Sequence, residues 1–129
     1  MRIAIDARYL EDNGGGVGRY IKEIIVHKPN NYNFICITIK PLNIKYDIEN
    51  IVLPIKLHSF IWEQIQLLQE LYRLKPDIYH ATGNYGIPLF CPVPAVLTIH
   101  DIIPLQLSNY FKKSKFQFIS EISVKIRVT

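Results

Sequence analysis

His100 and Asp101 stand side by side just after the apolar run Ala95-Val96-Leu97-Thr98-Ile99. An imidazole at the end of a strand can donate to a developing charge or to a hydroxyl. A carboxylate beside it can orient the ring or bind hydroxyls itself. The competing reading is a structural histidine that caps the strand end. His80 sits in a second strand-like run, Ile78-Tyr79-His80-Ala81, and carries the same two readings. His27 at a helix end and His58 in a loop read as ordinary surface residues.

The one glycine-rich stretch, Gly14-Gly15-Gly16-Val17-Gly18, precedes a helical pattern. Free N–H groups and the dipole at a helix start favour an anion, and glycine lets backbone come close to a phosphate. The spacing is not GxGxxG and no Lys-Ser/Thr follows, so neither the dinucleotide fingerprint nor a P-loop is present. A plain flexible turn is the alternative. Glu63 and Glu70 lie seven apart on a helical pattern, two turns along one face. That helix reads as one that covers a sheet, so both carboxylates are expected on the solvated surface. No metal-ligand cluster and no Ser/His/Asp order stands out. Cys36 lies in Phe34-Ile35-Cys36-Ile37 and reads as a small buried hydrophobe, and neither it nor Cys91 belongs to a CxxC or a Cys/His ligand set.

The elements that position these residues follow from hydrophobic period. Short apolar runs predict strands at 3–5, 33–39, 51–53, 78–81 and 95–99. The last is unbroken in hydrophobicity, as a parallel strand covered on both faces is expected to be. Apolar residues at 17, 20, 21, 24 and 25 predict a helix beginning near Val17 and ended by Lys28-Pro29. A second helix is expected over 61–74, with apolar positions 61, 62, 65, 68, 71, 72 and 74, ended by Lys75-Pro76-Asp77. From Lys112 onward a strand alternation competes with a helical face, and a helix is the expectation. The alternation of strand and helix predicts an α/β fold, a parallel sheet with helices on both faces. Ligands of such sheets bind outside the carboxyl ends of the strands, which here leave the loops 6–18, 80–94 and 100–108.

The totals agree with a single domain spanning 1–129. The chain has 129 residues, 49% of them hydrophobic and 20% charged. That is enough apolar side chain for a core, and no region has a disordered composition. A net charge of +4 and a pI near 9.1 suit a cytoplasmic protein that meets phosphates or an anionic membrane surface. No basic stripe suggests nucleic acid. Lys112, Lys113 and Lys115 read as a solvated helix start, with membrane-surface contact as the alternative. The N-terminus does not read as a signal peptide, and no stretch approaches the roughly 20 apolar residues of a membrane span.

Several segments together resemble family 4 glycosyltransferases, particularly the mannosyltransferase-like enzymes of polysaccharide assembly. They are Met1-Arg2-Ile3-Ala4-Ile5-Asp6-Ala7-Arg8, Gly15-Gly16-Val17-Gly18-Arg19-Tyr20, Trp62-Glu63-Gln64, Lys75-Pro76-Asp77-Ile78-Tyr79-His80, Cys91-Pro92-Val93-Pro94 and Thr98-Ile99-His100-Asp101-Ile102-Ile103-Pro104. The resemblance implies the N-terminal, acceptor-side Rossmann-like domain of a two-domain GT-B fold. It implies a retaining transfer from a nucleotide sugar to a saccharide or lipid-linked acceptor, with no cofactor and no metal. Gly15 and Gly16 would approach the donor's phosphates, and His100 would contact the transferred sugar, with Asp101 carried over beside it. Arg19 would be a phosphate neighbour or simply a helix residue. Thr82, Gly83, Asn84 and Tyr85 match an acceptor-side region. The family's second domain binds the nucleotide sugar through a basic pair and a Glu-x7-Glu motif, for which Glu63 and Glu70 have the wrong spacing and position. The chain is therefore expected to be inactive alone, as a gene fragment, a split enzyme or a truncated chain, with a separate C-terminal domain chain as partner. A cytoplasmic location, with peripheral contact at the inner face of the membrane, fits that role. The alternative is a non-catalytic Rossmann-like binding or interaction module.

Overall fold

A computed structural model describes residues 1–10, 15–42, 48–54 and 58–101. Gly14, the segment from Lys112 with its expected helix, and the family-like residues 102–104 lie outside the described residues. The elements are β1 (Arg2–Asp6), α1 (Gly16–Val26), β2 (Asn33–Thr38) and β3 (Glu49–Val52). A long helix over residues 59–74 follows, called α2, and then β4 (Ile78–Ala81) and β5 (Ala95–Leu97).

The five strands form one sheet in the order β3-β2-β1-β4-β5. Every neighbouring pair is parallel. The chain is therefore α/β with a Rossmann-like sheet, as the alternation of elements predicts. Side chains alternate across the sheet, so the central strands β1 and β2 feed two cores. Ile5, Phe34 and Cys36 pack with Ile21 and Ile25 of α1. Ala4, Ile35, Ile37, Tyr79 and Ala81 pack with Trp62, Leu67, Leu71 and Leu74 of α2. Helices thus cover both faces. Cys36 is fully buried, and burial pushes its thiol pKa up to about 12, the property of a packing residue rather than a nucleophile.

Three expectations need correction. The first concerns α2. It is built from an α-helical turn, Ser59–Trp62, a π-helical segment, Glu63–Leu67, and a further α-helical segment, Leu68–Leu74. The wider turn breaks the 3.6-residue phase. Leu67 is buried, while Ile65 and Tyr72, expected on the apolar face, are 51% and 56% exposed. The second concerns Glu63, which is buried at 3% exposure instead of lying in solvent. It forms an ion pair with Arg8. Glu70 pairs with Arg73 on the helix surface. The third concerns β5. It stops at Leu97 and is the outermost strand on its side among the described residues. Ala95 and Leu97 pack on the α2 core, but Val96, in register with His80, is 50% exposed.

The helix breakers act as expected. Lys75 ends α2 in a left-handed conformation, φ 47°. Asp77 then accepts a 2.7 Å bond from the Arg2 amide, and Arg2 Nη1 donates to Leu74 O at 2.8 Å. These contacts fasten the end of α2 to the start of β1, at the edge opposite the loops discussed next.

Candidate functional site

Parallel strands bring their carboxyl ends to one edge. β1 ends at Asp6, β4 at Ala81 and β5 at Leu97, and the ladder runs on through the Thr98 amide, which donates to Ala81 O at 3.0 Å. Residues 82–86 and 98–101 therefore leave the sheet side by side. α1 follows β1, so its first turn, with Gly15 as its N-cap, begins at this same edge.

His100 is held at three points. Its amide donates to Asn84 Oδ1 at 2.8 Å. Its Nε2 lies 2.7 Å from the carbonyl oxygen of Thr82. A carbonyl only accepts, so Nε2 carries a proton, and in the neutral ring Nδ1 is left with the lone pair. The Tyr20 ring meets the imidazole edge-on, with centroids 5.1 Å apart and planes at 82°. Tyr20 is four residues past Gly16, so its Cα lies about 6 Å along the helix from the α1 start, and its ring joins that helix to His100.

Thr82 and Asn84 thus serve as supports for His100. Thr82 is fully buried, and its hydroxyl donates to Asp6 O at 2.5 Å, joining the ends of β1 and β4. Asn84 Nδ2 also donates to Asp101 O at 3.3 Å. Gly83 is buried with its Cα hydrogen toward the Tyr9 ring, where a Cβ would lie 3.2 Å from a ring carbon. Tyr85 is 45% exposed. Asp101 is exposed and meets Asn84 through its backbone, and Arg19 is exposed on α1.

The glycines of the α1 start divide into two kinds. Among the described residues nothing lies within 4 Å of a Cβ built on Gly15 or Gly16, and neither has positive φ. Packing does not demand glycine at either position. Gly18 is different. It lies inside the helix rather than in the loop, and a Cβ there would sit 2.5 Å from Tyr9 O. Its role is close packing of helix against chain.

Sequence reasoning passed over two groups. Tyr20 and Thr98 were legible only as apolar or strand positions. Yet Tyr20 Oη and Thr98 Oγ1 are 3.0 Å apart, and His80 Nε2 lies 2.8 Å from the same Thr98 oxygen. Half-burial lowers the His80 pKa, against the opposing pull of Asp6. The second group is an ion cluster on the α2 face. Arg8 Nε and Nη2 donate to Asp6 Oδ1 and Oδ2 at 2.9 and 2.7 Å. Arg8 Nη1 lies 3.0 Å from Glu63 Oε1, a charge contact without good hydrogen-bond alignment. The guanidinium carbon sits 4.4 Å from the Trp62 ring centroid. Burial works against the Arg8 charge, but Asp6 and Glu63 more than reverse it, leaving the pKa raised. Burial raises the Glu63 carboxyl, and Arg8 opposes it. Gly86 closes the cluster at φ 120°, where a Cβ would come 3.0 Å from Arg8 Nη2. The signal for this cluster was Asp6-x-Arg8, two charges on one face at the end of a buried strand.

No protein-family model, curated protein or solved structure matches this chain. Among the described residues, no helix is long and apolar enough to cross a membrane.

Proposed function

We propose that this chain is the acceptor-side, Rossmann-like half of a retaining GT-B glycosyltransferase. It would work with a nucleotide-sugar-binding domain, and its acceptor would be a saccharide or a lipid-linked saccharide. The observation that carries the reading is the arrival of the Gly15-Gly16 helix start and His100 at one sheet edge, with the Tyr20 ring of that helix against His100. Open space around both glycines fits a backbone kept bare for an incoming phosphate rather than for packing. In this reading the free amides of the α1 start face the leaving diphosphate. His100 offers Nδ1 to the transferred sugar while Thr82 O holds Nε2. Asp101 would stand with His100 in catalysis, and the exposed Tyr85 would lie on the acceptor side. No metal or cofactor is required, since preorganised donors stabilise the developing charge.

These residues make one wall of a cleft. The nucleotide base, the ribose and most phosphate contacts belong to the other domain. Screening by salt weakens a few backbone amides open to water. The 129-residue chain by itself is therefore expected to transfer no sugar. The test incubates it with a panel of nucleotide sugars and saccharide or lipid-linked acceptors, alone and then with a family donor-binding domain added. Transfer only on mixing supports the proposal. Robust transfer by the chain alone overturns it.

One observation favours a second reading, a non-catalytic binding module. His100 spends Nε2 and its amide on the chain's own backbone and Asn84, as a structural histidine would. Ligand binding without turnover in the mixed assay is the outcome that selects this reading.

A further inference from the structure

Thr98 Oγ1 serves two partners, Tyr20 Oη at 3.0 Å and His80 Nε2 at 2.8 Å. A threonine hydroxyl has one proton, so it donates to one partner and accepts from the other. A phenol is the better donor, and an uncharged imidazole nitrogen is the better acceptor. With His80 neutral, the chain of bonds therefore runs from Tyr20 O–H to Thr98 Oγ1, and from Thr98 O–H to His80 Nε2. That order makes His80 the Nδ1–H tautomer. A proton arriving at His80 Nε2 turns that nitrogen into a donor. Both links then reverse: His80 donates to Thr98, and Thr98 donates to Tyr20 Oη. The phenol proton leaves the Thr98 contact and becomes free for another acceptor.

The Tyr20 ring touches both histidines. It meets His80 at 6.2 Å and 87°, and His100 at 5.1 Å and 82°. We infer that Thr98 is a positioning residue: its hydroxyl couples His80 to Tyr20, and through the Tyr20 ring it sets how the His100 imidazole is held. The groups that act on His80 come from three directions. Asp6 on β1 acts through its charge, already gripped by Arg8, Tyr20 comes from α1, and Thr98 follows β5. The hydroxyl chain is thus a link by which a change at His80 reaches the exposed imidazole. What the coupling means for sugar transfer rests on the function proposed above; the coupling itself does not.

The experiment is imidazole nitrogen and carbon NMR on the full 129-residue chain, titrated with acid. Wild type is expected to show His80 as Nδ1–H, and a second inflection in the His100 signals at the His80 midpoint. Thr98→Val keeps the shape and removes the hydroxyl. It should abolish both the tautomer preference and the second inflection, and Thr98→Ser should restore both. Tyr20→Phe keeps the ring and removes the phenol. It should leave His80 as Nδ1–H but erase the inflection at His100. A second inflection that survives in Thr98→Val or in Tyr20→Phe means direct coupling through space, and overturns the inference. So does its absence from wild type. If Thr98→Val does not fold, Thr98→Ser and Tyr20→Phe still decide the matter. Since no readout uses turnover, failure of the glycosyltransferase reading and failure of this inference are seen separately.

Discussion

On the α2 face of the sheet edge, Asp6, Arg8 and Glu63 form a cluster whose members are 0–7% exposed. On the α1 face, His80, Thr98 and Tyr20 are half-buried and His100 is exposed. Both clusters grow from the same strand ends, and both look polar enough for chemistry. Their difference is in where the partners come from. In the ion cluster two carboxylates take up one guanidinium, with Trp62 and Gly86 closing around it. In the histidine cluster one imidazole is fastened by Nε2 to a backbone carbonyl and stands exposed at the strand ends. Charge and exposure part company here: the stronger charges are closed in by their own partners, while the weaker polar groups stand nearer to solvent.

The contrast is easiest to break with Arg8→Ala. Removing the cation leaves Asp6 and Glu63 buried without a counter-charge, and the expected loss of folding stability is about 3–5 kcal/mol. Urea unfolding measures it, and a loss below about 1 kcal/mol would erase the distinction between the clusters. His100→Ala should behave in the opposite way. In an assembled two-domain enzyme it should lower kcat on the order of 10²-fold. Only the Nε2 bond to Thr82 O and the ring contact with Tyr20 are forfeited, since the amide keeps its bond to Asn84, so stability should fall by about 1 kcal/mol. An unchanged kcat would return His100 to the class of the ion cluster, a structural group.

The glycines sharpen the same comparison at smaller scale. Gly18→Ala forces a methyl to 2.5 Å from Tyr9 O and should cost about 1–3 kcal/mol. Gly16→Ala meets nothing and stands in a helix, so it should stabilise by about 0.4–1 kcal/mol while weakening donor binding in the assembled enzyme. Calorimetry on the two variants, with nucleotide-sugar titration of the second, separates packing from ligand approach. The smallest effect concerns pH. The His80 pKa in the fold is lowered from its ordinary value near 6.5. The unfolded chain then takes the proton more readily, so the His80 contribution is full above about pH 6.5 and is lost as pH falls through the folded value. The stability difference between wild type and His80→Gln should therefore shrink on acidification, followed by denaturant midpoints at stepped pH. A difference that grows instead would contradict half-burial as the dominant influence on His80.

Strand positions were legible because short β-branched runs between glycines and prolines admit few other structures. All five appear, β4 with the expected bounds and the others with ends displaced by at most two residues. The fold class followed from their alternation with helices. The phase of α2 was not legible, since a constant 3.6-residue period puts Ile65 inward, and only the buried attraction between Arg8 and Glu63, 55 positions apart in sequence, accompanies the wider turn. His100 could be picked out by type and position after a strand. Its hold on Thr82 O and Asn84 could not, because those bonds join segments 16 to 18 residues apart across a sheet edge. Tyr20 shows the limit most clearly: periodicity makes it a core residue, and its hydroxyl is what connects it to Thr98.

The π-helical segment Glu63–Leu67 makes this helix tolerant of one particular loss. Such a turn holds one residue more than an α-helical turn. Deleting a residue from 64–66 lets the turn close into regular α-helical geometry with both flanks keeping their direction. Trp62 and Glu63 stay turned toward Arg8, and Leu67, Leu71 and Leu74 stay on the core. The same deletion within Leu68–Leu74 rotates one side of the helix against the other by about 100°. The wide turn is where this helix can lose a codon.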